Sequence, residues 1–333
     1  MSSEPFDLEP GHLVANGAFR ILRPIGRGSM GEVYAAELVD DPVTRVAVKF
    51  LMPMWACDRD ALRRFQREAE IAQRLNTEYV AQFVSAGFDR AERLWIAFEL
   101  LEGDSLERLL GPTPSMILTE HDVGWIVDDV LQGLEHAHDA KIIHRDLKPS
   151  NIFIETTADG KRRARILDFG VSKLRERVVA GGQSTLTAIG DTVGTPSYMP
   201  PEQIGGAADV DERADIYALG VVIYRALTGV LPFAEAGGPA LVEWKRSFDP
   251  LTLADTTGSA WGQAIEEFVA TAIARQPSKR FPSARAAHAA WQEIRPNLGT
   301  SRLGPRRGAG RSLNDDSTTE PQPTDPEGGR RGS

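Results

Sequence analysis

The chain has 333 residues, 41% of them hydrophobic and 26% charged, and carries a formal net charge of -9. That balance is ordinary for a soluble globular protein, and the acidic excess argues against a nucleic-acid-binding domain. A single cysteine, Cys57, rules out an intramolecular disulfide and suits a reducing compartment. No apolar run approaches the ~18 residues of a membrane span. The start, Met1-Ser2-Ser3-Glu4-Pro5, lacks the basic and apolar regions of a signal peptide and the glycine of a myristoylation site. These features together predict a cytoplasmic protein.

Residues 1–16 read as a short leader. From about Phe19 to Phe98 the pattern is strand-like, with one helix. It opens with a glycine-rich turn, Gly26-Arg27-Gly28-Ser29-Met30-Gly31. The runs Val46-Ala47-Val48-Lys49-Phe50 and Leu94-Trp95-Ile96-Ala97-Phe98 have strand composition. Between them Leu62, Phe65, Ala69, Ala72 and Leu75 recur at spacings of three and four, which predicts an amphipathic helix. From about Leu106 the chain turns helical. Thr119 begins a capped helix, with Asp122 three residues on and an apolar face of Val123, Val127, Val130, Leu134 and His138. A further helix covers roughly Ala214 to Thr228 and stops before Gly229 and Pro232. From Asn297 to Ser333 the chain is rich in Gly, Pro, Ser, Thr, Arg and Asp; it cannot bury a core and is expected to be disordered.

The most informative stretch is His144-Arg145-Asp146-Leu147-Lys148-Pro149-Ser150-Asn151, with Asp168-Phe169-Gly170 downstream. It sets a carboxylate, an ammonium and an amide on one short loop, and Asp168 adds a second carboxylate. That set suits transfer of a phosphoryl group from a metal-bound nucleotide to a hydroxyl. Asp146 can orient the hydroxyl and accept its proton, and Lys148 can neutralise charge on the travelling group. Asn151 and Asp168 offer oxygen ligands to Mg²⁺, a hard cation held by few protein ligands plus phosphates. The glycine turn alone is weak, because dinucleotide-binding folds share its spacing. The next residues, Glu32-Val33-Tyr34-Ala35, show no helix start, so a hairpin lying over phosphates fits better; no Gly-Lys-Ser/Thr is present there, which excludes a Walker A loop.

At these residues the chain resembles the eukaryotic-like protein kinases, and Lys148 within HRDLKPSN resembles their serine/threonine-directed branch. The resemblance spans about Phe19 to Ile294 and is closest to bacterial members, on Met199-Pro200-Pro201-Glu202-Gln203. It implies an α+β, two-lobed fold: a β-rich small lobe with one helix at 17–98, a hinge at 99–102, a mainly helical large lobe at 103–295 and a tail at 296–333. It implies ATP with Mg²⁺, or Mn²⁺ in its place, and protein substrates with Ser or Thr acceptors, the chain itself among them. Lys49 in Val46-Ala47-Val48-Lys49 would hold the α- and β-phosphates. Glu68 would pair with it, with Glu70 as the rival. Ile25, Val33 and Ala47 would lie above the adenine and Phe153 below. Glu99 would offer its C=O and Leu101 its N–H at the hinge, with Phe98 as a bulky gatekeeper. Thr195 would contact Asp146 and Lys148, Glu202 would pair with Arg280, and Asp215 would hold the catalytic loop.

Arg145, in the resemblance, makes activity depend on a phosphate between Asp168 and Glu202. Ser184, Thr185, Thr187 and Thr192 are the candidate acceptors. Asp191 stands three residues before Gly194 and is read as a partial substitute for that phosphate, weighed against a solvated loop aspartate. Two other readings compete: a pseudokinase or docking module, which no missing residue supports, and a small-molecule phosphotransferase. The latter generally lacks the Lys148-Pro149 pair and the Gly194-to-Glu202 segment.

Overall fold

Side chains on a strand alternate between faces, and that period builds the first lobe. In the computed structural model, which describes residues 8–28, 31–90, 93–113, 116–169, 195–204 and 210–299, the lobe opens with β1 (Leu13–Val14), β2 (Phe19–Arg27), β3 (Gly31–Leu38) and β4 (Arg45–Leu51). Helix α1 (Arg59–Arg74) comes next, then β5 (Phe83–Phe88) and β6 (Leu94–Glu99). The strands form one antiparallel sheet in the order β1-β2-β3-β4-β6-β5. On β4, Val46, Val48 and Phe50 enter an apolar layer with Phe19, Ile21 and Trp95. Phe19 and Trp95 meet edge to face at 5.3 Å. The alternate residues Ala47 and Lys49 therefore face the cleft.

Helix α1 starts where Asp58 accepts hydrogen bonds from the N–H groups of Asp60 and Ala61 at 2.8 and 3.0 Å. It packs Phe65 against Leu51, Leu94 and Ile96 on the other face of the sheet. The expected leader needs correction. Leu8 is buried in the same layer as Val14 and Phe19, and β1 pairs with β2, so the lobe begins by residue 8. Two apolar residues gave too short a run to mark a strand; pairing with β2 makes it one.

In the second lobe, β7 (Gly103–Ser105), β8 (Ile152–Thr156) and β9 (Arg162–Ile166) form a small sheet. Helices α2 (Leu106–Leu110) and α3 (Glu120–Asp139) precede β8. After β9 come α4 (Thr195–Tyr198), α5 (Pro201–Ile204), α6 (Arg213–Thr228), α7 (Pro239–Ser247), α8 (Leu253–Thr257), α9 (Gln263–Ala272) and α10 (Ala284–Ile294). Thr119 caps α3 as expected: its hydroxyl accepts from the Asp122 N–H at 3.0 Å. Helix α6 is buried from Ala214 to Thr228 and ends at Gly229, whose φ of 78° is left-handed. A Cβ on Gly220 would lie 2.6 Å from Ile273, so glycine there lets α9 close on α6. The lobe runs on to Gly299, past the expected limit at 295: Leu298 packs on the core, and the Gly299 N–H donates to Glu120 at 2.6 Å.

Candidate active site

The glycine turn joins two antiparallel strands, and β3 rather than a helix begins at its third glycine. A Cβ on Gly31 would meet the Phe50 carbonyl at 2.7 Å, so Gly31 serves the β3–β4 pairing. A Cβ on Gly26 would meet nothing within 4 Å, and on Gly28 only the Gly31 carbonyl at 3.8 Å. No described neighbour demands glycine at those two places, and both leave room for an approaching ligand. Arg27 lies beside the Glu32 carboxylate at 3.4 Å. Ser29 and Met30 lie outside the described residues.

Below the turn, three charges meet. The Lys49 ammonium donates to Glu68 at 2.6 Å and lies 3.2 Å from Asp168. Glu70 pairs instead with Arg67 on the surface, so the structure chooses between the two glutamates that the apolar stripe left open. Two carboxylates share one ammonium. Burial works against charge on Lys49, but Asp168 and Glu68 outweigh it and hold the ammonium well above its ordinary range. Burial pushes Glu68 up to about 7 against the pull of Lys49. Asp168 also feels burial, yet Lys49 wins and holds its carboxyl low. The split is physically reasonable: Asp168 is 49% exposed to the cleft and Glu68 only 16%.

The 144–151 loop is anchored from beneath. Asp215, fully buried on α6, accepts from the N–H groups of His144 and Arg145, both at 2.8 Å, and from His138 at 2.9 Å. Burial would raise Asp215, but His138 and these donors hold it low. Arg145 is held at φ 63° and Asp168 at φ 40°, conformations that cost of order 1–3 kcal/mol each in non-glycine residues and cluster at functional sites. His144 bonds the Leu167 carbonyl at 3.0 Å and packs on Phe169 at 4.8 Å, joining the loop to Asp168. On the loop, Lys148 lies 3.0 Å from the Asp146 carboxylate. Asn151 donates through Nδ2 to the Asp146 carbonyl at 2.9 Å. With that amide nitrogen committed, Oδ1 of Asn151 is the atom left for a cation, and Asp168 supplies a half-exposed carboxylate. The donor set fits Mg²⁺, which takes few protein oxygens and completes its shell with phosphates and water.

The cleft between the lobes is lined by Ile25, Val33, Ala47, Leu101 and Phe153, with Lys49, Glu68 and Asp168 at its inner end. This apolar slot with few polar groups suits a planar base. The Leu101 N–H makes no hydrogen bond with any described residue, so it is open to a ligand acceptor. Phe98 lines the slot as expected. Sequence reasoning missed Val80 and Ile166, which also line it and bridge to each other; their only signal was apolar character. It also missed the role of the Glu99 side chain. Glu99 is paired with Arg165 of β9, which donates as well to Glu155 at 2.8 Å and to the Val80 carbonyl at 3.0 Å. The hinge is thereby tied to the large lobe by charge.

Glu202 and Arg280 form the expected pair, bidentate at 2.6 and 2.9 Å. The Arg145 guanidinium donates to the Val210 carbonyl at 3.4 Å, and burial works to lower its pKa. Gly170, Ser184, Thr185, Thr187, Asp191 and Thr192 lie outside the described residues, as does the side chain of Thr195, which opens α4.

Residues 19–292 match the protein kinase domain family. The chain is 37% identical to the serine/threonine-protein kinase pkn2 of Myxococcus xanthus over 91% of its own length and 36% of that protein. It is 34% identical to the serine/threonine-protein kinase PknJ of Mycobacterium tuberculosis, over 82% of this chain and 44% of that one. The chain thus spans between a third and a half of the length of these curated relatives. Among solved structures it resembles the Mycobacterium tuberculosis PknI kinase domain, at a TM-score of 0.63 and 28% identity, covering 86% of this chain and 99% of that one. An antiparallel small lobe, a helical large lobe and a lysine shared between Glu68 and Asp168 accompany a match over most of the sequence, and the chain belongs to the protein kinase family.

Proposed function

We propose that this chain is an ATP-dependent serine/threonine protein kinase that transfers the γ-phosphoryl group to protein hydroxyls, its own among them. The observation that carries this reading is the Lys49 ammonium, 2.6 Å from Glu68 and 3.2 Å from Asp168, at the inner end of an apolar cleft. Lys49 is thereby aimed where the α- and β-phosphates of a nucleotide in that cleft would lie. The acceptor oxygen forms a bond to the γ-phosphorus while the bond from that phosphorus to the bridging oxygen breaks and ADP leaves. Asp146 orients the hydroxyl and takes its proton, and Lys148 offsets charge on the transferred group. Asn151 and Asp168 would hold Mg²⁺, or Mn²⁺ in its place, which neutralises phosphate charge. Positioning and electrostatics supply most of the rate.

Arg145 is proposed to sense phosphate on Ser184, Thr185, Thr187 or Thr192, with Asp191 a partial substitute, and Thr195 to favour Ser and Thr acceptors. The single thiol, Cys57, which is exposed, suits a reducing, ATP-rich cytoplasm. The test is phosphorylation with ATP and Mg²⁺ of the purified chain beside Asp146→Asn, with modified sites mapped by mass spectrometry. Loss of the base should lower transfer by about a thousandfold. Equal incorporation in both proteins would end this reading.

A further inference from the structure

The turn after α4 has a hydrogen-bonding problem. Helix α4 is one turn long and ends at Tyr198, and a helix leaves its last carbonyls without intrahelical donors. The next residues after Met199 are Pro200 and Pro201, which have no N–H to give. The donors come from elsewhere. Lys245 of α7, 1% exposed, gives its ammonium to the carbonyls of Pro196, Ser197 and Met199 at 3.0, 2.5 and 2.8 Å. An ammonium has three protons, and here three carbonyls receive them. The Tyr217 ring lies 5.3 Å from the same ammonium, and Arg280 stacks on that ring at 4.8 Å.

Lys245 has no carboxylate within ion-pair distance among the described residues; Glu202, whose charge acts on it, is bonded to Arg280. Burial and the Arg280 guanidinium push it down to about 7, against Glu202. The three carbonyl dipoles and the ring face act to keep its proton in place. A buried cation met only by dipoles is costly, and a packed apolar side chain would be the cheaper way to fill the site. The segment it holds is also tied from the other end. Gln203, one turn on, donates to the Arg145 carbonyl at 2.8 Å, next to Asp146.

We propose that Lys245 is a positioning residue for the acceptor side of phosphoryl transfer: by gathering the carbonyls of 196, 197 and 199 it fixes the segment against which the acceptor peptide is laid. This rests on the kinase reading above. It concerns the peptide and not the nucleotide, since Lys245 touches nothing in the cleft that Lys49 and Phe153 line.

The experiment is steady-state kinetics of wild type, Lys245→Met and Lys245→Gln with ATP and with myelin basic protein as a generic acceptor. Lys245→Met, which offers no donor, should raise KM for the acceptor at least tenfold, with KM for ATP within twofold of wild type. Lys245→Gln retains two N–H donors and should fall between. If Lys245→Met does not fold, the Gln variant decides by the same split. Equal changes in both KM values, or none in either, would overturn the proposal and leave Lys245 a structural residue. A wild type inactive toward the acceptor, yet still binding ATP, would instead count against the kinase reading, so the two failures are distinguishable.

Discussion

Charge is handled in opposite ways at the inner end of the cleft and in the interior of the large lobe. In the interior, Asp215 and Arg280 are saturated. Asp215 receives three donors. Arg280, with its side chain 0% exposed, gives a fork to Glu202 and further bonds to the carbonyls of Ala274, Arg213 and Arg275. In the cleft, one ammonium serves two carboxylates, and Asp168 stays half exposed. Saturated groups have one arrangement of low energy and hold shape. Undersupplied groups leave charge for a ligand to complete, and their pKa values are displaced accordingly. The difference teaches that what separates support from chemistry is whether the hydrogen-bonding capacity is already spent.

This contrast can be broken by substitution. Asp215→Ala should have the largest effect, because it strands the N–H groups of His144 and Arg145 and the His138 ring in the interior. A loss of roughly 3–5 kcal/mol is expected, seen as a lower denaturation midpoint with transfer activity lost in parallel. A variant of wild-type stability would show that the loop is held by something else. Glu68→Gln keeps an oxygen for Lys49 but removes a charge. Its expected loss is about 1.5–3 kcal/mol in kcat/KM for ATP, the worth of a hydrogen bond to a charged group, with the melting temperature shifted by less than ~2 °C. A larger fall in stability than in activity would place Glu68 with the saturated supports.

The smallest effect tests the cost of displaced ionisation alone. Asp129 lies on α3 away from the cleft, where burial pushes its carboxyl up to about 6 although the Ala164 N–H bonds it. Between its ordinary value near 3.8 and 6 the folded chain binds a proton that the unfolded chain has released, so stability falls as pH rises through that window and stays low above it. Asp129→Asn cannot ionise and still accepts from Ala164. Above pH 6 it should melt about 2–4 °C higher than wild type, an effect of about 1 kcal/mol, and the gain should vanish near pH 4. A gain independent of pH would assign it to packing instead.

Much of the site was legible because its residues sit on short, ordered strings. The spacing from Asp146 to Asn151 places both on one loop whatever surrounds it, and the period-two pattern of Val46 to Phe50 turns Lys49 toward the cleft. The choice of Glu68 over Glu70 was legible through the resemblance and not through the apolar stripe: both come after Phe65 on one helix, and the docking of α1 on the sheet brings Glu68 to Lys49. The strand at Leu13–Val14 was hidden, being too short to signal without its partner.

The sequence by itself determined which groups could do chemistry and that they belong to a protein kinase, since identity and local spacing are properties of the chain. The resemblance carried some long-range pairs, Glu202 with Arg280 among them, but others only the tertiary structure decided. Arg165 finds Glu99 across 66 positions and Lys245 finds the Met199 carbonyl across 46. Neither contact has a local pattern, because each exists only once burial has removed water as the competing partner and left a charged group to find donors or acceptors in the protein.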